Sequence, residues 1–203
     1  MNVFVLSTGR CGSTTFARAC SHMTNFGAAH ESRSHLLGAE HFEYPHNHIE
    51  VDNRLSWFLG MLARYYGDDA YYVYLRRNRE ATARSFVERW DWDVSIVRAY
   101  GEQILTRRRI GVEERYNIAL DLVDTVDANI QEFLVDKTKK VEIWMENPVA
   151  SFLTFWDDIG AKGDRDAAVG EWAVMHNRSK GTLFSGHKAI RRLRNRLKRL
   201  RNI

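Results

Sequence analysis

Residues 3–16 have the sequence VFVLSTGRCGSTTF, in which a short apolar run passes into a loop of small residues. The run contains two β-branched valines and is typical of a buried strand. Residues 15–23, which follow the loop, are typical of a helix. Together a strand, a glycine loop and a helix N-terminus favour phosphate binding, because glycines let the backbone approach the anion and the first N–H groups of the helix point at it. We therefore predict an α/β fold that begins with an anion-binding turn.

The loop differs from the G-x-x-x-x-G-K-[ST] loop of nucleotide triphosphatases. Gly12 is followed by Ser13 rather than lysine, and only two residues separate Gly9 from Gly12. The residue that would reach the β- and γ-phosphates of ATP is therefore missing. Positive charge and hydroxyl donors come instead from four residues of the loop and the start of the helix: Arg10, Ser13, Thr14 and Thr15.

Residues 71–86, YYVYLRRNREATARSF, contain a second strand followed by a basic turn and a helix. Arg77 lies at the end of the strand, two residues after the apolar run 71–75, and Ser85 follows eight residues later. The strand end and the second turn of the helix face one side, so both side chains can contact a single phosphate. The alternative is that Arg76, Arg77 and Arg79 form a solvated turn, as runs of charge usually do. Two such motifs in one chain, each closing a strand, favour the binding interpretation.

Both stretches resemble motifs of the sulfotransferases that use 3′-phosphoadenosine 5′-phosphosulfate as donor. The 5′-phosphosulfate loop of that family is roughly [K/R]-[S/C]-G-[S/T]-T, and residues 10–14 read RCGST. The family's 3′-phosphate motif places an arginine at a strand end and a serine eight residues later, as Arg77 and Ser85 are placed here. The resemblance implies that the phosphosulfate binds to the whole loop: Gly9, Arg10, Cys11, Gly12, Ser13, Thr14 and Thr15.

The same resemblance implies an activity, namely in-line transfer of a sulfuryl group to an acceptor hydroxyl or, less often, an amine, without a metal. Arg10 would neutralise charge on the sulfuryl oxygens. A base must take the proton of the attacking group, and the family uses a glutamate just after the second strand in several branches and a histidine in others. Residues 26–30 are our predicted second strand, so Glu31 is the first candidate base and His30 the second. Ligands of open α/β sheets bind beyond the carboxyl ends of strands, which puts Glu31 on the rim that carries Arg10.

Residues 49–62 begin with the alternation of a short strand and continue with the apolar spacing of a helix. An element of this kind often lines the acceptor pocket in the resembled family. Asp52, Asn53 and Arg54 are therefore candidate substrate contacts, although helix capping and core packing explain them equally well. Further along, residues 86–109 predict a helix end and an excursion over the site, in which Trp90 and Trp92 either stack on a ligand or belong to the core.

Five histidines fall within residues 30–48, which raises the question of a metal site. Their spacings fit no zinc pattern such as H-E-x-x-H, and no cysteine pair accompanies them. A polar loop that touches the acceptor is the favoured interpretation. These histidines are His30, His35, His41, His46 and His48.

The composition is that of one ordinary soluble domain: 203 residues, 44% hydrophobic and 28% charged. No run approaches the roughly 20 apolar residues that span a bilayer. The first segment lacks the charged leader of a signal peptide. Cys11 and Cys20 are typical of reduced thiols rather than of a disulfide scaffold. These features predict a cytoplasmic protein.

The C-terminal region is strongly basic. Residues 188–203 carry eight basic side chains and no acidic one, so the net charge of +4 becomes −4 for residues 1–187. Apolar residues at intervals of three and four predict a basic amphipathic helix that docks on the acidic body, lies on a membrane surface or, as a minor alternative, touches nucleic acid. Just before it, Arg178 and Lys180 are candidates for a loop that closes over the donor.

We predict a three-layer α/β/α domain over residues 1–187 with a mostly parallel sheet. The order of the strands in that sheet is not determined by the sequence. The activity has two rivals, a nucleotide or small-molecule kinase with a degenerate phosphate loop and a non-catalytic nucleotide- or membrane-binding protein. The acceptor stays open among small molecules such as phenols, saccharides, lipids and peptide tyrosines, and so does the oligomeric state. The strand candidates are 3–7, 26–30, 71–75 and 141–145, and the clearest helices are 113–135 and 149–159.

Overall fold

The computed structural model describes residues 1–174 of the chain. These residues contain a five-stranded, entirely parallel sheet. Its spatial order is β2-β3-β1-β4-β5, so the first strand lies at the centre. In chain order the strands are β1 (Val3–Leu6), β2 (Gly27–His30), β3 (His48–Val51), β4 (Tyr71–Arg76) and β5 (Lys140–Trp144).

Seven α-helices accompany the sheet within residues 1–174. They are α1 (Ser13–Cys20), α2 (Leu59–Tyr65), α3 (Arg79–Val87), α4 (Ile96–Ala99), α5 (Glu114–Leu134), α6 (Val149–Asp158) and α7 (Arg165–Gly170). Short 3₁₀ helices occupy Gly38–His41, Asn53–Trp57 and Glu171–Ala173, and a π-helical turn, Tyr100–Ile104, follows α4. None of the helices in this part of the chain is long and apolar enough to cross a membrane.

The alternation of side chains along β1 divides the core into two layers. Val3 and Val5 point to one face of the sheet, where they pack with α1, α6 and α7. Phe4 and Leu6 point to the other face, which α2, α3, α4 and α5 cover. Because helices cover both faces, all four residues are buried. The three-layer α/β/α prediction is confirmed.

The path of the chain creates a crevice at the centre of the sheet. The chain builds β2 and β3 on one side of β1 and then crosses to build β4 on the other side. The loop after β1 leads to α1 on the valine face, whereas the loop after β4 leads to α3 on the opposite face. Neighbouring strands whose loops diverge in this way leave a ligand crevice at their carboxyl ends. Both predicted anion motifs lie there.

Most predicted elements are found within one or two residues of their predicted bounds. The single helix predicted around residues 55–62 is wrong, because this stretch forms two elements, the 3₁₀ helix Asn53–Trp57 and α2. Asp52 caps the first piece by accepting a hydrogen bond from the backbone N–H of Arg54. Phe58, with φ −122° and ψ 29°, then interrupts the helical path before α2 begins. The short strand expected at the start of this stretch is β3, which pairs with both β1 and β2.

Candidate functional site

The loop after β1 contains three residues in the left-handed region of backbone space. Gly9 has φ 91°, Arg10 φ 61° and Gly12 φ 85°. Gly12 occupies the N-cap of α1, where it has no side chain to satisfy the first N–H groups, and the first turn of α1 contains no acidic residue. The N-terminus of α1 therefore keeps the positive end of its dipole, as an anion site requires.

Close packing explains why the loop needs its glycines. A Cβ atom on Gly12 would lie 2.3 Å from Sδ of Met145, which follows β5. A Cβ atom on Gly9 would lie 3.1 Å from Nδ2 of Asn53. The loop is thus held between the residues that follow two other strands, and its backbone conformation is determined by its neighbours as well as by its own sequence.

Arg77 and Ser85, the two residues of the second motif, both contact Arg10 in the first. Nη1 of Arg77 donates a hydrogen bond of 3.1 Å to the carbonyl oxygen of Arg10. Nε of Arg10 donates a hydrogen bond of 3.0 Å to Oγ of Ser85 on α3. These bonds join the carboxyl ends of β1 and β4 across the crevice and bring the two predicted anion motifs together.

Positive charge accumulates around Arg10. Burial, followed by the nearby cations Arg89 and Arg77, lowers the pKa of Arg10 to about 10. Within residues 1–174, none of these three guanidinium groups lies within ion-pair distance of a carboxylate. A bound anion with more than one negative charge would relieve their mutual repulsion, so the electrostatics of this corner fit an anionic ligand.

A cavity of about 740 Å³ adjoins the loop. It is lined by residues of the predicted anion-binding loop (residues 9–15, called the anion loop below), by residues at the ends of β2 and β3, and by the segment from the end of α3 to the π turn. Of the predicted site residues, those that line it are Gly9, Arg10, Ser13, Thr14, His30, Glu31, Asn53 and Arg54.

Both candidate bases face this cavity. Oε2 of Glu31 lies 2.8 Å from Nη1 of Arg54, and Nε2 of His30 lies 2.9 Å from Oγ of Ser13 at the start of α1. Glu31 has φ 54°, an uncommon value for a residue other than glycine, and its N–H donates to the carbonyl oxygen of Val51. Strained conformations of this kind persist where the surroundings hold them and cluster at functional sites.

The three predicted substrate contacts divide into two groups. Asn53 and Arg54 line the cavity. Asp52 is buried behind them, where Oδ1 accepts from the backbone N–H of Arg54 at 2.8 Å and lies 3.6 Å from its Nη1. Burial raises the pKa of Asp52, although Arg54 acts in the opposite direction. The position of Asp52 is that of a support for Arg54.

A buried carboxylate that we did not predict, Glu50 of β3, anchors the segment after Glu31. It accepts hydrogen bonds from the N–H of Ser32 at 2.8 Å, from Oγ of Ser32 at 2.5 Å and from Nε2 of His48 at 2.8 Å. Burial by itself raises the pKa of Glu50, but these hydrogen bonds hold it below its ordinary value. The alternation of β3 made it recognisable as a strand, but only the pairing of β2 with β3 brings Glu50 to Ser32.

Residues 89–103 form the far wall of the cavity and supply Arg89, Trp92 and Arg98. The excursion predicted after the helix is therefore present, and it covers one side of the cavity. Trp90 is buried in the core, whereas Trp92 is 50% exposed and lines the cavity. Neither Arg89 nor Arg98 was a candidate from sequence, where they were not distinguishable from surface arginines.

Both cysteines and one of the histidines, His41, are buried in the fold. Cys11 is buried, with Sγ 3.3 Å from Oγ1 of Thr8, and burial raises the pKa of its thiol to about 11. Cys20 is also buried. His41 is buried and stacks on Phe42. In the described part of the chain, no group of three or more His, Cys, Asp or Glu side chains is arranged to hold a metal ion.

Some predictions fall outside residues 1–174. Arg178 and Lys180, the candidates for closing over the donor, are among them, and so is the basic segment 188–203. For the chain as a whole, the comparisons with known proteins give no assignment. No protein-family model matches the sequence, and no curated protein matches it.

Proposed function

We propose that this chain transfers a sulfuryl group from 3′-phosphoadenosine 5′-phosphosulfate to an acceptor hydroxyl or, less often, an amine. The observation that carries the proposal is the pair of hydrogen bonds by which Arg10 joins the anion loop to Arg77 and Ser85. This donor carries anionic groups at two separate positions, on the 5′ and 3′ oxygens of one ribose. A protein that binds it needs two adjacent anion sites rather than the single long loop that ATP uses.

The residues present fit such a donor. The loop offers backbone N–H groups at the start of α1 and needs glycine where it meets Met145 and Asn53. Three guanidinium groups without carboxylate partners in residues 1–174 supply the charge. Arg77 and Ser85 flank the loop on the side of α3, which suits a 3′-phosphate.

Bound donor would supply the sulfuryl group and the leaving group. In the reaction the acceptor oxygen forms a bond to sulfur, the bond between sulfur and the bridging phosphate oxygen breaks, and 3′-phosphoadenosine 5′-phosphate leaves with that electron pair. Glu31 takes the proton of the acceptor, and Arg54 holds its carboxylate in the cavity at 2.8 Å. Arg10 and the N–H groups of the loop stabilise negative charge. Catalysis of this kind depends mainly on positioning and electrostatics.

Calorimetric titration tests the donor site directly. The ligands are 3′-phosphoadenosine 5′-phosphate, ATP and adenosine 5′-phosphate, and the proteins are the wild type, Arg77→Ala and Arg84→Ala. Arg84 is an exposed arginine of α3 that does not line the cavity, and so controls for the loss of one positive charge. We expect the wild type to bind the 3′,5′-bisphosphate selectively. This binding should be about 10- to 100-fold weaker in Arg77→Ala but not in Arg84→Ala.

The same titration decides between the proposal and its rivals. Equal or tighter binding of ATP, unaffected by Arg77→Ala, would overturn the proposal in favour of a kinase. Selective binding of the bisphosphate without release of that product from the sulfated donor, across a panel of phenol, saccharide and lipid acceptors, would favour a non-catalytic binding protein.

A further inference from the structure

The far wall of the cavity is a rigid support for the side chains that it presents. Trp90, Val97 and Tyr100 are buried in the core, and the hydroxyl of Tyr100 donates to Oδ2 of Asp121 on α5 at 2.6 Å. Ser95 caps α4 by accepting from the N–H of Arg98. The same segment lines the cavity, so the position of this wall is determined by packing on the core.

Arg89 is the charged group on this wall whose donors are least satisfied. Its guanidinium lies over the indole of Trp92, with Cζ 4.1 Å from the ring centroid. Its Nε is buried and has no hydrogen-bond partner among residues 1–174. Stacking uses the flat face of a guanidinium, whereas bidentate pairing with a carboxylate or sulfate uses the N–H groups in the plane of the group, so the two contacts are compatible.

Arg54 and Arg98, which also line the cavity, differ from Arg89 in that each lies within ion-pair distance of a carboxylate. Nη1 of Arg54 lies 2.8 Å from Glu31. Nε of Arg98 lies 4.0 Å from Oε2 of Glu102, and its Nη2 donates to the carbonyl oxygen of Asp93. Burial lowers the pKa of Arg89, and Glu88 and Glu31 act in the opposite direction without forming an ion pair with it. A buried donor of a charged group that lacks a partner is costly, and a ligand can supply what is missing.

The position of Arg89 indicates which ligand that is. Arg89 lines the same cavity as Arg10 of the anion loop and Glu31, the proposed base. An acceptor must lie between the sulfur held at the loop and the base that takes its proton. We propose that Arg89, oriented by Trp92, binds an anionic substituent of the acceptor, a carboxylate or a sulfate. This inference rests on the proposed sulfuryl transfer and specifies its acceptor as an already anionic molecule.

The test compares matched acceptors on the protein loaded with 3′-phosphoadenosine 5′-phosphate, on which no transfer occurs. The compounds are 4-nitrophenyl β-glucuronide, 4-nitrophenyl β-glucoside and the 6-sulfate of that glucoside, which differ only at one carbon of the sugar. The proteins are the wild type, Arg89→Gln, Arg89→Lys and Arg84→Gln. Arg89→Gln keeps a polar side chain, whereas Arg89→Lys keeps the charge without the bidentate edge. Arg84→Gln is the control outside the cavity.

In the wild type we expect at least one anionic compound to bind about 10- to 100-fold more tightly than the neutral glucoside. Arg89→Gln should abolish this preference, Arg89→Lys should reduce it, and Arg84→Gln should leave it unchanged. Comparison of the glucuronide with the sulfate identifies the preferred anion.

Equal binding of the three compounds, or binding of none, overturns the inference. So does a preference that survives in Arg89→Gln. A loss of affinity for the bisphosphate in Arg89→Gln with the preference intact assigns Arg89 to the donor site instead. If the wild type does not bind the bisphosphate, the proposed function fails, and the same titrations without it measure the anion preference separately.

Discussion

Oε2 of Glu31 and Nη1 of Arg54 lie 2.8 Å apart in the cavity beside the anion loop. The arginine follows β3 and the glutamate follows β2, so the pairing of two neighbouring strands brings them together. We predict that Glu31→Gln lowers kcat for sulfuryl transfer by about 10²- to 10⁴-fold, the usual contribution of a general base. The measurement is release of 3′-phosphoadenosine 5′-phosphate with a 4-nitrophenyl glycoside acceptor.

His30→Asn is the matched comparison, because His30 lies in the same cavity beside Ser13. We expect it to reduce kcat less than Glu31→Gln does. Both variants should keep the wild-type affinity for 3′-phosphoadenosine 5′-phosphate, which separates a role in chemistry from damage to the loop. A larger loss in His30→Asn would reverse the assignment of the base.

The second prediction concerns Gly12. Alanine at this position must adopt φ 85°, which costs about 1–2 kcal/mol in the left-handed region. Its Cβ would also lie 2.3 Å from Sδ of Met145. We expect Gly12→Ala to lower the melting temperature by several degrees and to weaken binding of the bisphosphate, measured by calorimetry on the folded protein. Gly12→Ala with Met145→Ala should recover part of the loss, since it removes the contact but not the backbone strain.

Gly60 provides the control for a glycine that neither strain nor packing requires. It lies in α2, its φ is not positive, and a Cβ atom there would meet nothing within 4 Å. Gly60→Ala should leave the melting temperature unchanged or raise it slightly, because alanine favours a helix. A similar loss in both variants would show that Gly12 has no special place in the loop.

The parts of the fold and site that could be predicted from sequence are those determined by local spacing. An apolar run that ends in a glycine loop identifies β1 and the start of α1. The eight-residue interval from Arg77 to Ser85 is the distance in sequence from the end of a strand to the second turn of the following helix. Such features do not depend on which strands are neighbours. The strands, the helices on both faces and the location of the anion loop followed from them.

The residues that were missed depend on contacts between distant segments. Glu50 reaches Ser32 only because β3 lies between β1 and β2, an order that no local pattern determines. Arg89 belongs to the cavity because the segment after α3 folds back over the crevice, anchored by Trp90. Charge alone did not distinguish Arg89 from exposed arginines such as Arg84.

The third prediction concerns thiol reactivity. Burial raises the pKa of Cys11 from 9.0 to about 11, so about one molecule in a thousand carries the thiolate at pH 8 instead of about one in ten. We expect Cys11 to resist iodoacetamide at pH 8 in the native protein and to react in urea, as followed by mass spectrometry. Because the folded-state pKa is raised, the stabilisation from the neutral thiol is present below about pH 9 and is lost as the pH rises through 11.

Cys20 is buried as well and should be protected in the same way. Ser21→Cys, at an exposed position after α1, is the reactive control. Rapid modification of Cys11 in the native state would contradict both its burial and its raised pKa, and would require a loop that opens in solution.

The last prediction uses the buried carboxylate of Glu50. Hydrogen bonds from His48 and Ser32 hold its pKa below the ordinary value of 4.5 in spite of burial. Because the pKa of Glu50 is lower in the folded state, its ionised carboxylate stabilises the protein above about pH 4.5. This stabilisation is lost as the pH falls through the folded-state pKa. We expect Glu50→Gln to lower the free energy of unfolding at pH 7 by about 1–3 kcal/mol. The free energy of unfolding should also decline less steeply below pH 4.5 in this variant than in the wild type.

Urea unfolding between pH 3 and 7 measures both effects, and Glu43→Gln, at an exposed position, is the control. Parallel stability profiles for Glu50→Gln and the wild type would mean that the carboxylate of Glu50 contributes nothing beyond its shape.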